Sequence, residues 1–214
     1  MRGLGIRSKM LSGLYMLEIE QLNEFSCPVH TSRPLSWKPP EGEIIKFNFD
    51  ASFQQQLRLS HSSIIARNKE GLVMVSCTYS WENVVDSTMA EARACLKAVS
   101  FAEELVFQDV CVEGDALTII RKLQSGEEDR SSFSTIISAI KGRNTRFRTL
   151  EFRFVPREVN EATHVMAVEG RKHDQAMNWI EEVPREVERI VVVTPQTRPK
   201  SIYHTINQRG GENR

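Results

Sequence analysis

Between Ile44 and Ser52 apolar and polar side chains alternate, Ile45, Phe47 and Phe49 against Lys46, Asn48 and Asp50. A period of two predicts a strand with one buried face. Two more strands are predicted over about 62–67 and 72–79. They are joined by Asn68-Lys69-Glu70-Gly71, a four-residue turn ending in glycine that reads as a hairpin. The first three strands therefore form an antiparallel meander. From about 88 to 106 the period changes: Glu91, Cys95, Ala98, Ala102 and Leu105 recur at helical spacing, and Thr88-x-x-Glu91 has the spacing of a capping box. A short β-rich run, 109–114, leads into a helix with Leu117, Ile120 and Leu123 on one face. A second amphipathic helix carries Phe133, Ile136, Ile137 and Ile140. A strand over 150–155 ends at Pro156. A last helix, with Asn160 as its cap, aligns Ala162, Val165, Met166 and Glu169.

Length adds a boundary to this picture. The 214 residues suit one domain with flanks. Residues 1–36 carry little periodicity beyond Leu14, Leu17 and Leu22, and Pro34, Pro39 and Pro40 around Trp37 mark a stiff linker. The domain is expected over 37–180. Residues 181–214, charged and then rich in glycine and polar residues, read as a largely disordered tail. Cys27, Cys77, Cys95 and Cys111 are too widely spaced for a zinc site, so they predict free thiols in a reducing compartment, nucleus or cytoplasm, with an organelle not excluded. Arg2, Arg7 and Lys9 near the start are followed closely by Glu18, Glu20 and Glu24, which argues against a transit peptide. No apolar run approaches the length of a membrane span, so no membrane partner is expected.

The candidate chemistry lies in three carboxylates. Asp50 stands where the first strand ends, Glu91 in the first turn of the long helix, and Asp115 just after the fourth strand. Each has an ordinary reading: a turn residue for Asp50, closure of a capping box for Glu91, a helix N-cap for Asp115. A mixed sheet with the first and fourth strands adjacent would instead bring all three together. Clustered carboxylates repel one another and require a divalent cation or shifted pKa values. Hard oxygen donors without a Cys or His pair select Mg²⁺ or Mn²⁺ over zinc.

The ordered set of motifs resembles the type 1 ribonuclease H fold, and within it the plant reverse transcriptase-like group related to retrotransposon ribonuclease H domains. The matching stretches are Trp37-Lys38-Pro39-Pro40-Glu41-Gly42 leading into Lys46 to Phe53; Ala90-Glu91-Ala92 with Ala94 and Leu96; Glu113-Gly114-Asp115; and Val155 to Asn160 with His164. They cover about 37–180. The resemblance implies an α/β, ribonuclease H-like fold: a five-stranded mixed sheet, three antiparallel strands then two parallel, flanked by helices. It implies a metal-dependent endonuclease that cuts the RNA strand of RNA–DNA hybrids and leaves 3′-hydroxyl and 5′-phosphate ends, and a monomer is expected. Two Mg²⁺ or Mn²⁺ ions about 4 Å apart would clamp the scissile phosphate. By the same resemblance Asp50 bridges both ions and Glu91 and Asp115 hold the leaving-group ion. His164 stands where the family has a fourth carboxylate, on the water-activating ion. An imidazole there suits Mn²⁺ better than Mg²⁺. The alternative is a domesticated module that binds nucleic acid with weak or no catalysis. Two further departures are the absence of a histidine before the last helix and Leu59-Ser60-His61-Ser62-Ser63 in place of a glycine-rich approach to the second strand.

Net charge does not argue for a nucleic-acid partner, because 28 basic residues balance 28 acidic ones. Clustering does. Lys141, Arg143, Arg146, Arg148, Arg153 and Arg157 face the single acid Glu151 within one window, a net charge of +5. With Asn160, these residues are the expected contacts to an RNA–DNA hybrid or other nucleic acid.

Overall fold

Alternation along β1 (Ile45–Gln54) becomes two sheet faces of opposite character. In the computed structural model, which describes residues 36–127, 129–173 and 175–191, β1 pairs antiparallel with β2 (Leu59–Arg67) and β2 with β3 (Val73–Trp81). β4 (Asp109–Gly114) lies parallel to β1 on its other side, and β5 (Thr149–Phe154) parallel to β4. The expected three antiparallel and two parallel strands are present, with the first and fourth adjacent. A sixth strand corrects the count: β6 (Met177–Ile180) pairs antiparallel with β3, giving the order β5-β4-β1-β2-β3-β6. Four residues are too few to produce a periodic signal. The β2–β3 turn closes on Asn68, whose Oδ1 accepts from the backbone N–H of Glu70 at 3.1 Å and of Leu72 at 2.9 Å. Gly71 supplies the positive φ of 78° that this turn requires.

Among the described residues five α-helices flank the sheet: α1 (Ser87–Glu104), α2 (Leu117–Gln124), α3 (Ser134–Gly142), α4 (Glu161–Glu169) and α5 (Arg185–Val191). The helix α5 corrects the expectation of a tail from residue 181. Val183 and Val187, four residues apart, are buried beside Ile65 and Met166. The charges around them obscured that helical pair. The expected flank at 1–35, including Pro34, Cys27 and the Leu14, Leu17, Leu22 stripe, and the tail beyond 191 lie outside the described residues.

One face of the sheet is apolar. Phe47, Phe49, Ile64, Ala66, Cys77, Val110 and Val112 pack against α1, α2 and α3 in the main core, each large side chain contributing about 1.5–3 kcal/mol on burial. The other face carries Asn48, Asp50, Ser63, Arg67, Ser76, Thr78 and Glu113, all buried although polar. Strand register confirms that they share a face, since Asn48 sits opposite both Ile65 and Glu113, and Asp50 opposite Ser63. Helix α4 packs over this side of β1 and β2. Every polar group under it must find a partner in the protein or lose stability. Those partners build the site.

At the end of β4 the apolar face packs tightly. A Cβ added to Gly114 would lie 2.5 Å from the Phe49 ring. Gly114→Ala is therefore expected to cost about 1–3 kcal/mol through overpacking, read as a lowered midpoint in thermal melts followed by circular dichroism. An unchanged midpoint would show that Phe49 can yield.

Candidate active site

The pairing of β4 with β1 ends at Asn48 and Glu113. Beyond that point β1 runs on with β2 alone, and the β4 side of its backbone is open. Three elements converge there. Asp50 lies on β1 itself and is fully buried. Glu91 comes from the first turns of α1, its carboxyl within hydrogen-bond reach of Asp50. Asp115 follows β4 directly. All three sequence-predicted carboxylates are brought to one place.

None of the helix-capping expectations holds for the residues at the site. The N-cap of α1 is Asp86, which accepts from the Met89 N–H at 2.7 Å, so Glu91 closes no capping box. The N-cap of α2 is Ala116, with no side-chain bond, and Asp115 is free of that task. Asn160 occupies the N-cap position of α4 but makes no capping bond. Its Nδ2 instead donates to the buried backbone carbonyl of Phe49 at 2.8 Å and to Asp115 Oδ1 at 3.1 Å. A side-chain cap is worth about 0.5–2 kcal/mol, and two helices forgo theirs to hold the site.

The basic residues divide. Arg157, just past β5, places Nη1 3.0 Å from Asp115 Oδ2 and 3.9 Å from Asp50 Oδ1. His164, from α4, has Nδ1 2.8 Å from Asp50 Oδ2, and Arg157 Nη2 approaches its Nδ1 and Nε2 at 2.5 and 2.8 Å. The remaining members of the basic window make their own pairs, with Arg153 on β5 nearest the site, beside Glu113. Arg148 pairs with Asp109 at the start of β4, roughly 20 Å from Asp115 along the strand. Arg143 and Arg146 pair with Glu103, three turns along α1 from Glu91, and Arg153 pairs with Glu151. Lys141 donates to the Ser125 carbonyl at 2.6 Å.

Five residues to which sequence reasoning gave no role at the site support it from beneath. Arg67 donates to Asn48 Oδ1 at 2.9 Å, and Asn48 Nδ2 donates to Glu113 Oε2 and Asn160 Oδ1, both at 3.4 Å. Lys46 pairs with Glu113 Oε1 at 2.8 Å. The Trp37 ring closes this layer, with the Arg67 guanidinium 3.5 Å from its centroid. Burial pushes Arg67 down to about 9, partly offset by Glu113. A continuous buried chain thus runs from Trp37 through Arg67, Asn48 and Asn160 to Asp115.

Burial, and then the neighbouring charge of Asp115, push the Asp50 carboxyl up, against the pull of His164 and Arg157. Burial and then Asp50 push Glu91 well up. Asp50 Oδ1 and Glu91 Oε2 are buried without a hydrogen-bond partner. Two orphaned carboxylate oxygens among hard donors fit a divalent cation in kind. Among the described residues no three His, Cys, Asp or Glu side chains are spaced to hold a metal ion as they stand; the guanidinium of Arg157 pairs with both Asp50 and Asp115. A cavity of about 280 Å³, lined by Glu91, Asp115, Arg157 and the first turns of α1 and α2, opens beside them. Two helix N-termini at its wall favour an anionic ligand.

Comparison with known proteins agrees with this fold. A family model described as "Reverse transcriptase-like" matches residues 48–170. Among curated proteins none matches the sequence. Among solved structures, ribonuclease H1 from the halophilic archaeon Halobacterium salinarum NRC-1 is similar at 17% identity and a TM-score of 0.56, over 60% of this chain and 98% of that one. A ribonuclease H1 isolated from compost by a metagenomic approach is similar at 18% identity and a TM-score of 0.53, over 60% and 96% of the two chains. The same compost enzyme, solved in complex with an RNA/DNA hybrid, matches at 18% identity and a TM-score of 0.51, over 58% and 94%. The shared fold is ribonuclease H-like.

Proposed function

Since this chain belongs to the reverse transcriptase-like family, we propose that it is a metal-dependent endonuclease that hydrolyses the RNA strand of RNA–DNA hybrids. The observation that carries the reading is the convergence of Asp50, Glu91 and Asp115 at the open edge of β1, with two buried oxygens unsatisfied. Asp50, Glu91 and Asp115 would hold the cation. When bound, it supplies positive charge for the attacking water and the leaving oxygen of the scissile phosphate. The chain's own part is to position. Asn160 ties Asp115 to the β1 backbone, the sheet fixes Asp50, and the guanidinium of Arg157 faces the cavity, where it suits a phosphate oxygen. That the similar compost ribonuclease H1 was solved with an RNA/DNA hybrid supports hybrid as the substrate class. Lys141, Arg143, Arg146, Arg148 and Arg153 would follow the duplex backbone away from the cut.

The test is cleavage of a labelled RNA–DNA hybrid, beside matched RNA–RNA and DNA–DNA duplexes, with Mg²⁺ and with Mn²⁺. The expected result is cutting of the hybrid's RNA strand alone, with 3′-hydroxyl and 5′-phosphate ends, abolished by EDTA. A second reading is favoured by Arg157 among the carboxylates and His164 in place of an acid: a module that binds hybrid without cutting. Retardation of the hybrid in a gel with no cleavage under either metal would establish that reading and overturn the first.

A further inference from the structure

The charges at the site match one divalent cation. Asp50, Glu91 and Asp115 offer three negative charges, and Arg157 returns one positive charge from within salt-bridge distance of two of them. Two negative charges remain. An imidazole at position 164 adds none, where a carboxylate would have added another.

The ring of His164 is also engaged. Its Nδ1 is 2.8 Å from Asp50 Oδ2, and Arg157 Nη2 lies 2.8 Å from Nε2. Arg157 Nη2 also lies 2.5 Å from Nδ1, so Asp50 and Arg157 occupy both ring nitrogens whichever of them carries the proton. Neither nitrogen is then left to face a metal. The two orphaned oxygens, Asp50 Oδ1 and Glu91 Oε2, belong to neighbouring carboxylates, and the charge of Asp115 acts on both.

We infer that the site takes one divalent cation, held by Asp50, Glu91 and Asp115, and that the Arg157–His164 pair stands in the place of a second cation and its ligand. This inference rests on the reading of the chain as a metal-dependent hydrolase. Arg157 is well placed for such a role. Its side chain is 52% exposed while that of Asp50 is 0%, so the guanidinium can reach outward to a phosphate while remaining paired inward. A guanidinium also keeps its charge at any working pH and binds phosphate through two parallel N–H groups.

The experiment counts bound Mn²⁺ on the full chain, from the free-ion signal in electron paramagnetic resonance. It is done alone and with an uncleavable hybrid whose RNA strand is 2′-O-methylated. Wild type is expected to bind one ion in both conditions. Arg157→Ala removes a competing cation and is expected to bind that ion about tenfold more tightly. The double variant Arg157→Ala with His164→Asp restores a fourth acid and is expected to bind two ions, and Arg157→Lys to bind one. Two ions in wild type, or one in the double variant, would overturn the inference and leave the hydrolase reading standing. Failure of wild type to bind Mn²⁺ any better than Asp50→Asn would overturn both.

Discussion

Asp50→Asn is expected to lower hybrid cleavage by roughly a thousandfold or more and, at the same time, to stabilise the metal-free protein. The two effects have one cause. Asp50 is fully buried, its Oδ1 lacks a hydrogen-bond partner, and it lies against Glu91 and Asp115. Without a cation such a carboxylate is a liability, and the substitution removes its charge while keeping an oxygen to accept from His164. The pH dependence fixes the sign. Burial and Asp115 raise the carboxyl in the folded state above its ordinary 3.8, so above that value the native state binds more protons than the unfolded chain. Stability from this group therefore falls as pH rises through the window between the ordinary and the raised values. Asp50→Asn lacks that slope. Its gain should be small near pH 4 and larger near pH 8, read as a raised midpoint. Thermal melts in EDTA at the two pH values measure it. A variant less stable than wild type at pH 8 would mean that the Asp50 charge is already compensated.

The same residues show what was legible from the chain alone. Alternation around Phe47 and Phe49 and the helical stripe from Cys95 to Ala102 identify the main core correctly, because burial of apolar surface dominates both. The three carboxylates were visible as acids at element ends. Their release from capping was not, since Glu91, Asp115 and Asn160 are all good capping residues at good capping positions. The decision lay with Asp86, which takes the α1 cap, and with Phe49, whose carbonyl the end of β4 leaves open. Lys46 and Asn48 read as the wet side of a half-buried strand. A period of two cannot tell water from a buried polar layer, and Arg67, which completes that layer, lies on the next strand. The basic window spreads out in space for a geometric reason. Arg148 and Arg157 are near in sequence, but β5 runs between them and carries them to opposite ends of the sheet. Proximity along a strand is separation in space.

The layer beneath the site leads to the largest expected loss of stability. In Glu113→Gln two cations lose their counter-charge at once. Lys46, 12% exposed, pairs with Glu113 at 2.8 Å, and Arg67, 3% exposed, has Glu113 as the charge that offsets its burial. Removing one member of a buried charge network strands the others, at a cost of about 3–5 kcal/mol. In a domain of this size that is a midpoint lowered by about 10 °C. An isosteric amide keeps the packing, so a loss of this size must come from charge. The double variant Lys46→Met with Glu113→Gln separates the contributions, because it removes one stranded cation and should recover part of the loss. What it leaves is the cost of Arg67 alone, held by Asn48 and the Trp37 ring. Cleavage assayed well below the melt should fall as well, since Asn48, which donates to Glu113, also donates to Asn160, and Asn160 holds Asp115. A melt for Glu113→Gln within about 2 °C of wild type would mean that solvent already reaches these charges, and the buried chain from Trp37 to Asp115 would then have no hold on the site.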